Sequence, residues 1–240
     1  MRLACGELLG ALVSAQGVGV YDDCKDLIMS LIRDNMERKG EVDSEGGVAG
    51  GVPGGRPHSP FGHSSDSIFH ETAGWRNLET SVKCLQSVVE GCQGFTPDPE
   101  LMSLVFATLD HTNRFVRETG FYTLGAIVCS SNDVCCRFAD DLTARLAAGM
   151  ADNWSQVRLA STTAARQFLM ALPPHLPSKF GVHAKLLPCL CLNRYYLAEG
   201  VRIYSQETWK MVTAKEDGGG RQVVINHIDS VVKYYIQCTK

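Results

Sequence analysis

Apolar residues recur at three- and four-residue steps on both sides of a short polar turn between residues 99 and 128. The first stripe contains Leu101, Leu104, Val105, Thr108 and Leu109, and the second contains Val116, Gly120, Leu124, Ile127 and Val128. This spacing is typical of amphipathic helices. Asp98 and Pro99 suit the N-cap and the first helical position, and residues 110–113 are turn formers. The segment is therefore predicted to form two antiparallel helices that pack through one face each and leave a second face for neighbours.

The second half of this hairpin recurs along the chain. A Val-Arg pair occurs at Val116-Arg117, Val157-Arg158 and Val201-Arg202, at steps of 41 and 44 residues. A small residue stands four positions after each valine, and a core-type residue stands eleven positions after it: Gly120, Ser161 and Ser205, then Ile127, Phe168 and Val212. Met1-Arg2 follows the same rule, which places Cys5, Leu9 and Leu12 on the buried side of an N-terminal helix. Four copies of one template predict stacked helical hairpins.

The segment LMSLVFATLDHTNRFVRETGFYTLGAI resembles a HEAT repeat, and so does DNWSQVRLAS. The family pattern is an apolar helix, an aspartate at the turn, and Val-Arg opening a second helix with small residues. The last clear unit has Asn193 at the turn position. The resemblance covers nearly the whole chain apart from roughly residues 40–67, and implies an all-α fold: an α-solenoid of about four to five HEAT-like (armadillo-like) hairpins. It also implies a structural ladder between turn aspartates and Val-Arg arginines of adjacent units: Asp110, Arg117, Asp152, Arg158 and Arg202.

The remaining pattern divides the chain into three regions. Residues 1–39 hold the first HEAT-like helices, residues 40–67 form a disordered loop rich in Gly, Pro and Ser, and residues 68–240 continue the solenoid. Further helices are predicted over residues 1–14, 21–39, 75–92, 138–150, 156–172, 185–192, 199–212 and 223–237. The core face of the helix over residues 21–39 is assigned to Leu27, Ile28, Leu31 and Ile32. The repeat pattern leads us to expect that both ends are cut mid-repeat, and therefore that apolar side chains are exposed there: Leu8, Leu9, Leu12, Ile228, Val231, Val232 and Tyr235.

Composition limits the functional classes. A net charge of −3 and a pI near 6.2 give no basic stripe, which disfavours nucleic-acid binding. No run approaches 18 apolar residues, so no membrane span is predicted. Ten cysteines without a C-x-x-C pair indicate buried thiols in a reducing compartment, cytoplasmic or nuclear. Catalytic and phosphate-binding motifs are absent, so the sequence predicts no enzyme activity, no cofactor and no metal site.

The leading hypothesis is a non-enzymatic scaffold that binds one or more proteins through the surface of its stacked second helices. Positions two, six and nine after each valine should face outward, with Glu118, Gly125 and Thr163 among them. The candidate partner-binding residues are Tyr122, Leu159, Arg166, Ile203, Glu207 and Lys210. Tyr195 and Tyr196 are either packing aromatics, which we favour, or exposed anchors.

Three alternatives stay open within this resemblance. Trp75-Arg76 resembles the aromatic-basic pair in the first loop of TOG-type tubulin-binding arrays. An importin-like transport adaptor or a phosphatase scaffold fits the same repeat pattern. A HEAT-like enzyme accessory or lyase would need an exposed nucleophile or acid in a cleft.

Overall fold

The computed structural model describes residues 2–37, 74–92, 94–173, 179–214 and 218–239, and all regular secondary structure within these ranges is helical. The predicted loop over residues 40–67 lies outside the described residues. The described part contains twelve α-helices: α1 (Arg2–Gln16), α2 (Val18–Glu37), α3 (Trp75–Gly91), α4 (Pro99–Leu109), α5 (Arg114–Ser130), α6 (Asn132–Arg137), α7 (Ala139–Met150), α8 (Ser155–Ala171), α9 (Lys179–Asn193), α10 (Glu199–Thr213), α11 (Gly219–Asn226) and α12 (Ile228–Cys238). The prediction of an all-α fold is confirmed.

The helices pack in two layers. Layer A contains α2, α4, α7, α9 and α12, and layer B contains α1, α3, α5, α8 and α10; each helix contacts the next one in its own layer. Helices α3, α5, α8 and α10 also pack against the layer A helix that precedes each of them. Hydrogen bonds across layer B join residues 38–42 positions apart, for example Thr119 to Glu79, Thr123 to Val82, and Arg166 to both Tyr204 and Thr208. Because this offset stays nearly constant along the helices, neighbouring helices of layer B run parallel.

The central hairpin follows the sequence pattern. The carboxylate of Asp98 accepts a hydrogen bond from the backbone N–H of Leu101 at 2.8 Å, which caps α4, and Pro99 takes its first position. Both predicted stripes are buried except for half-buried Leu104. The predicted stripe of α3 is buried as well, through Leu78, Val82, Leu85, Val88 and Val89. These three helices form the middle of one continuous apolar core.

Helix α1 packs through glycine rather than leucine. A Cβ atom on Gly10 would lie 2.6 Å from the carbonyl oxygen of Ser87, and one on Gly91 would overlap the carbonyl oxygen of Gly10. The backbones of α1 and α3 are therefore in direct contact. Val13 is fully buried, whereas Leu12 is 43 % exposed. The repeat template placed Leu12 on the buried side, which was wrong because Val13 takes that position; the separate prediction that Leu12 is exposed is confirmed.

Helix α2 also buries a face that differs from the predicted one. It begins at Val18, and it buries Tyr21, Ile28 and Ile32. Leu27 and Leu31 are 62 % and 42 % exposed, so their assignment to the core was wrong. Each lies one residue before a buried isoleucine, about 100° around the helix from it.

The C-terminal region differs from the predictions in three respects. Helix α9 begins at Lys179 and continues through Pro188. The helix predicted over residues 223–237 is broken at His227, so that α11 packs on α10 and α12 packs on α9. Tyr195 is 75 % exposed, which contradicts the packing preferred for it, whereas Tyr196 lies half-buried beneath the guanidinium of Arg158 at 4.3 Å.

Apolar side chains are exposed near both ends of the described structure, as predicted for Leu8, Leu12, Ile228 and Val232. Leu9 and Tyr235 are half-buried, and Val231 is only 7 % exposed, so the prediction fails for that residue. Val231 is covered because α12 packs against α9.

Candidate functional site

A groove of about 660 Å³ crosses layer B where the C-terminal halves of α3 and α5 meet α8. The side chains that line it come from three successive helices and include Gln86, Glu90, Tyr122, Cys129, Thr163 and Gln167. Grooves of this size with a few convergent polar groups are the usual form of a binding site. It is therefore the leading candidate site on the described surface.

The floor of the groove is set by the close packing of α5 on α8. A Cβ atom on Gly125 would overlap the Oε1 atom of Gln167 and would lie 3.5 Å from the Cα atom of Ala164. Gly125 is therefore buried between the two helices, and the prediction that it faces outward was wrong. The small residue brings the helices together, and the larger Tyr122 and Gln167 form the walls.

The charged group that lines the groove is the carboxylate of Glu90, a hydrogen-bond acceptor. Lys83 donates to Oε1 of Gln86 at 2.9 Å, and Nε2 of Gln86 donates to Oε1 of Glu90 at 2.7 Å, which orients the Glu90 carboxylate. Oε1 of Gln167 is buried and accepts no hydrogen bond from any residue that the structure describes. This atom has almost no accessible surface and packs against Gly125, so it belongs to the contact between α5 and α8 rather than to the open part of the groove.

Burial raises the pKa of three ionisable groups in and beside the groove. Burial and the nearby charge of Glu118 raise the pKa of Tyr122, and burial raises the pKa of the Cys129 thiol. Burial and then the charge of Glu79 raise the pKa of Glu118, against the opposing effect of Arg114. The groove and its surroundings therefore favour hydrogen-bond donors or positive charge over anions.

The predicted partner-binding residues fall in different places. Tyr122 lines the groove, as does Thr163. Leu159 is half-buried against α10, where a Cβ atom on Gly200 would lie 3.7 Å from its Cδ2. Ile203 is 46 % exposed on α10, outside the groove.

Arg166 is engaged within the protein. Its guanidinium stacks over the Tyr204 ring at 3.5 Å and donates to Oγ1 of Thr208 at 2.7 Å and to the carbonyl of Tyr204 at 3.0 Å. Glu207 lies 3.5 Å from the same guanidinium and is exposed, as is Lys210. Arg166 thus joins α8 to α10, and the exposed residues of α10 lie apart from the groove.

The Val-Arg arginines connect successive turns. Arg117 donates to both carboxylate oxygens of Asp152, at 2.9 and 3.2 Å. Arg158 donates to Oδ1 of Asn193 at 2.8 Å, so an amide oxygen takes the aspartate's place. Among the residues that the structure describes, Arg202 lies 3.7 Å from Glu199 in its own helix. The Asp110 carboxylate accepts from Arg145 rather than from a Val-Arg arginine.

Sequence reasoning missed much of the groove lining, including Ala126, Cys129 and Gln167. Position six after the valine gives Tyr122 and Thr163, which line the groove, but position nine leads to the buried Gly125. Position ten gives Ala126 and Gln167, which continue the same helical face in steps of four. A step of four residues from Tyr122 or Thr163 stays on the same face of the helix and leads to Ala126 or Gln167. The prediction used a step of three at this point and therefore missed both residues.

Comparison with known proteins yields no match to a protein-family model, to a curated protein or to a solved structure. Within the described ranges, no group of three or more His, Cys, Asp or Glu side chains could hold a metal ion. None of the helices described is both long and apolar enough to cross a bilayer.

Proposed function

We propose that this chain is a non-enzymatic protein-interaction scaffold, built as a HEAT-like α-solenoid, that holds a polypeptide partner against layer B. The parallel helices of layer B and the two arginine links between successive turns support the solenoid assignment. In such stacks each unit packs on its neighbours, and the stacked helices provide an extended binding surface.

The observation that carries the proposal is the groove across α3, α5 and α8. Its oriented Glu90 carboxylate suits a partner side chain that donates hydrogen bonds. Lysine, arginine and asparagine have such donors. The expected partner is therefore a polypeptide segment that inserts a basic or amide side chain between α3 and α8, with Tyr122 packing against it.

The alternative of an enzyme accessory or lyase requires an activated nucleophile in the cleft. Cys92 and Cys129 are the thiols that line the groove, and burial raises the pKa of both. A reactive cysteine needs the opposite shift, because the thiolate is the nucleophile. The chemistry of the groove thus favours binding over covalent catalysis.

The test uses Ala126→Arg, which fills the groove with a cation, and the matched variant Ala148→Arg, which places the same side chain on an exposed position of layer A. A photo-crosslinking amino acid at Thr163 captures partners from a lysate, and mass spectrometry identifies them. We expect Ala126→Arg to reduce the captured partner by about tenfold, and Ala148→Arg to leave it unchanged, with both variants folded by circular dichroism. Equal capture by both variants would rule out the groove as the binding site.

A further inference from the structure

A second surface lies at the N-terminal ends of α3, α5 and α8, about one helix length from the groove. Five residues from three successive turns form it, and we name it the turn-edge strip: Trp75, Arg76, Arg114, Phe115 and Trp154. Because the helices of layer B are parallel, these turns lie along the same edge of the molecule. The strip shares no residue with the groove, and the inference drawn from it is independent of the function proposed above.

The strip is a continuous stack of guanidinium groups and aromatic rings. The rings of Trp75 and Phe115 stack with centroids 5.1 Å apart and planes 17° apart. The Arg76 guanidinium covers the outer side of Trp75 at 4.8 Å. The Arg114 guanidinium lies 4.7 Å from the Phe115 ring and 3.8 Å from the Trp154 ring. Contacts of this kind fix the orientation of every member of the stack.

Much of this stack remains in contact with solvent. Phe115 is 37 % exposed, Trp154 is 44 % exposed, and Arg76 is also exposed. The same turns are already joined beneath the strip by the Arg117–Asp152 ion pair. Aromatic and arginine side chains held rigidly at the surface are the residue types that most often dominate protein interfaces.

The five residues of the strip include two arginines and no acidic residue, although the whole chain carries a net charge of −3. The aspartates of the adjoining turns already form ion pairs with other arginines: Asp110 pairs with Arg145, and Asp152 pairs with Arg117. Arg76 forms no ion pair with any residue that the structure describes. Its planar face rests on Trp75, and stacking leaves the edge of a guanidinium able to donate a pair of hydrogen bonds to a carboxylate.

We propose that the turn-edge strip binds an acidic protein segment that carries an apolar side chain. In this arrangement a carboxylate of the partner pairs with Arg76, and the apolar side chain packs on the exposed ring of Trp154. The segment runs along the edge, from the turn before α3 to the turn before α8, so that it follows the direction of the stack.

The neighbouring charges favour a protein segment over a nucleic acid. Glu79 and Glu118 lie one helical turn inside the strip, and they are close enough together that Glu79 raises the pKa of Glu118. A nucleic acid carries a charge at every phosphate and depends on many cationic contacts. Such a polyanion would meet this acidic pair, whereas a short segment with a few carboxylates can follow the edge and avoid it.

The test measures, by fluorescence anisotropy with the full chain, the binding of a short fluorescein-labelled peptide that carries a few glutamates and one leucine among neutral residues. We expect saturable binding that weakens as salt is added, because the contacts are exposed. Arg76→Glu should weaken the affinity by about tenfold or more. Arg221→Glu, which makes the same charge change on an exposed position of α11, should change it by less than about twofold.

Trp154→Ala provides a second variant that leaves the charge unaltered, and we expect it to weaken binding by about tenfold while the melting curve stays cooperative. The proposal is overturned if wild-type protein fails to bind the peptide, or if Arg76→Glu and Arg221→Glu weaken binding equally. It is also overturned if an oligodeoxythymidine of the same charge binds more tightly than the peptide and loses affinity in Arg76→Glu. That result would assign the strip to nucleic acid.

Discussion

The link between Arg117 and Asp152 provides the most direct test of how successive turns are held together. The carboxylate of Asp152 accepts from Nε and NH2 of Arg117, and its Oδ1 also accepts from the backbone N–H of Trp154 at 2.9 Å. The Arg117 and Asp152 side chains are only 16 % and 13 % exposed. Asp152→Ala therefore leaves a nearly buried guanidinium without its counter-charge.

The magnitude follows from this geometry. Breaking a buried ion pair by removing one partner costs about 3–5 kcal/mol. Arg117 keeps hydrogen bonds to the carbonyls of His111 and Thr112, at 2.9 and 2.8 Å, and both members of the pair touch water. We therefore expect Asp152→Ala to lower the free energy of unfolding by about 2–3 kcal/mol.

Asp152→Asn separates geometry from charge. The protein already contains the amide version of this contact, because Arg158 donates to Oδ1 of Asn193 at 2.8 Å. An asparagine at position 152 keeps an acceptor for Arg117 and loses the charge, so we expect a cost of about 1 kcal/mol.

Urea denaturation followed by circular dichroism measures both values, provided that the dependence on urea is the same in each variant. Asp34→Ala, which removes an exposed carboxylate on α2, is the control and should stay within about 0.5 kcal/mol of the wild type. The reasoning is refuted if Asp152→Ala also stays within that range. It is equally refuted if Asp152→Asn costs as much as Asp152→Ala.

Three further predictions concern packing, pH and association. Gly91→Ala should destabilise the protein by about 1–3 kcal/mol because its Cβ would overlap the α1 backbone. The control Gly181→Ala, whose Cβ would meet nothing within 4 Å, should not destabilise it. Equal melting temperatures for the two variants would contradict this prediction. Burial raises the pKa of Cys189 from 9.0 to about 11, so its contribution to stability is complete below the unfolded pKa and is lost as the pH rises toward 11. Cys189→Ala should reduce the fall in the free energy of unfolding between pH 8 and pH 11 by up to about 2 kcal/mol, as measured by urea denaturation. An unchanged dependence on pH would refute this prediction. Leu8 and Leu12 are 70 % and 43 % exposed, so replacing both with serine should reduce concentration-dependent self-association in sedimentation experiments, and undiminished association would place the contact elsewhere.

The central hairpin could be predicted because its polar and apolar positions alternate without ambiguity. Asp98 and Pro99 mark the start of α4, four turn-forming residues end it, and the stripe of α5 continues to Val128. Local capping, helical period and burial all agree in this segment, and such agreement makes a sequence informative. Where these signals agree, the buried face was correct.

The faces of α1 and α2 could not be fixed in the same way. Both helices contain adjacent large apolar residues, for example Leu27 beside Ile28 and Leu31 beside Ile32. The pattern within one helix cannot decide which member of such a pair is buried, since either choice gives a helical stripe. The packing partner decides it, and for α1 that partner touches the helix through Gly10, which carries no hydrophobic signal.

The break at His227 depends on tertiary packing as well. Residues 223–237 have a continuous helical pattern, yet α11 packs on α10 and α12 packs on α9. One straight helix would lie against a single layer. The chain therefore changes direction where the supporting helix changes, at a residue with φ −119° and ψ 22°.

The two candidate surfaces have opposite chemistry and are joined by the same helix. Arg114 opens α5 at the turn-edge strip, and Cys129 lies at the groove near its other end. Fifteen residues of helix separate them, a rise of about 22 Å. An extended polypeptide covers that distance with about six or seven residues. One partner segment could therefore occupy both surfaces if its acidic and basic residues were separated by that spacing.

A designed peptide tests this geometry. It carries glutamates and a leucine at one end and a lysine at the other, joined by about six residues so that the ends span α5. Occupation of the second surface becomes intramolecular once the first is bound, so the joined peptide should bind at least about a hundredfold more tightly than either half. Arg76→Glu and Ala126→Arg should each remove most of that gain, because each blocks one end. A peptide with a linker too short to span the helix should lose the gain in the wild type. If it binds equally well, the two surfaces act separately, and the spacing along α5 has no role in recognition.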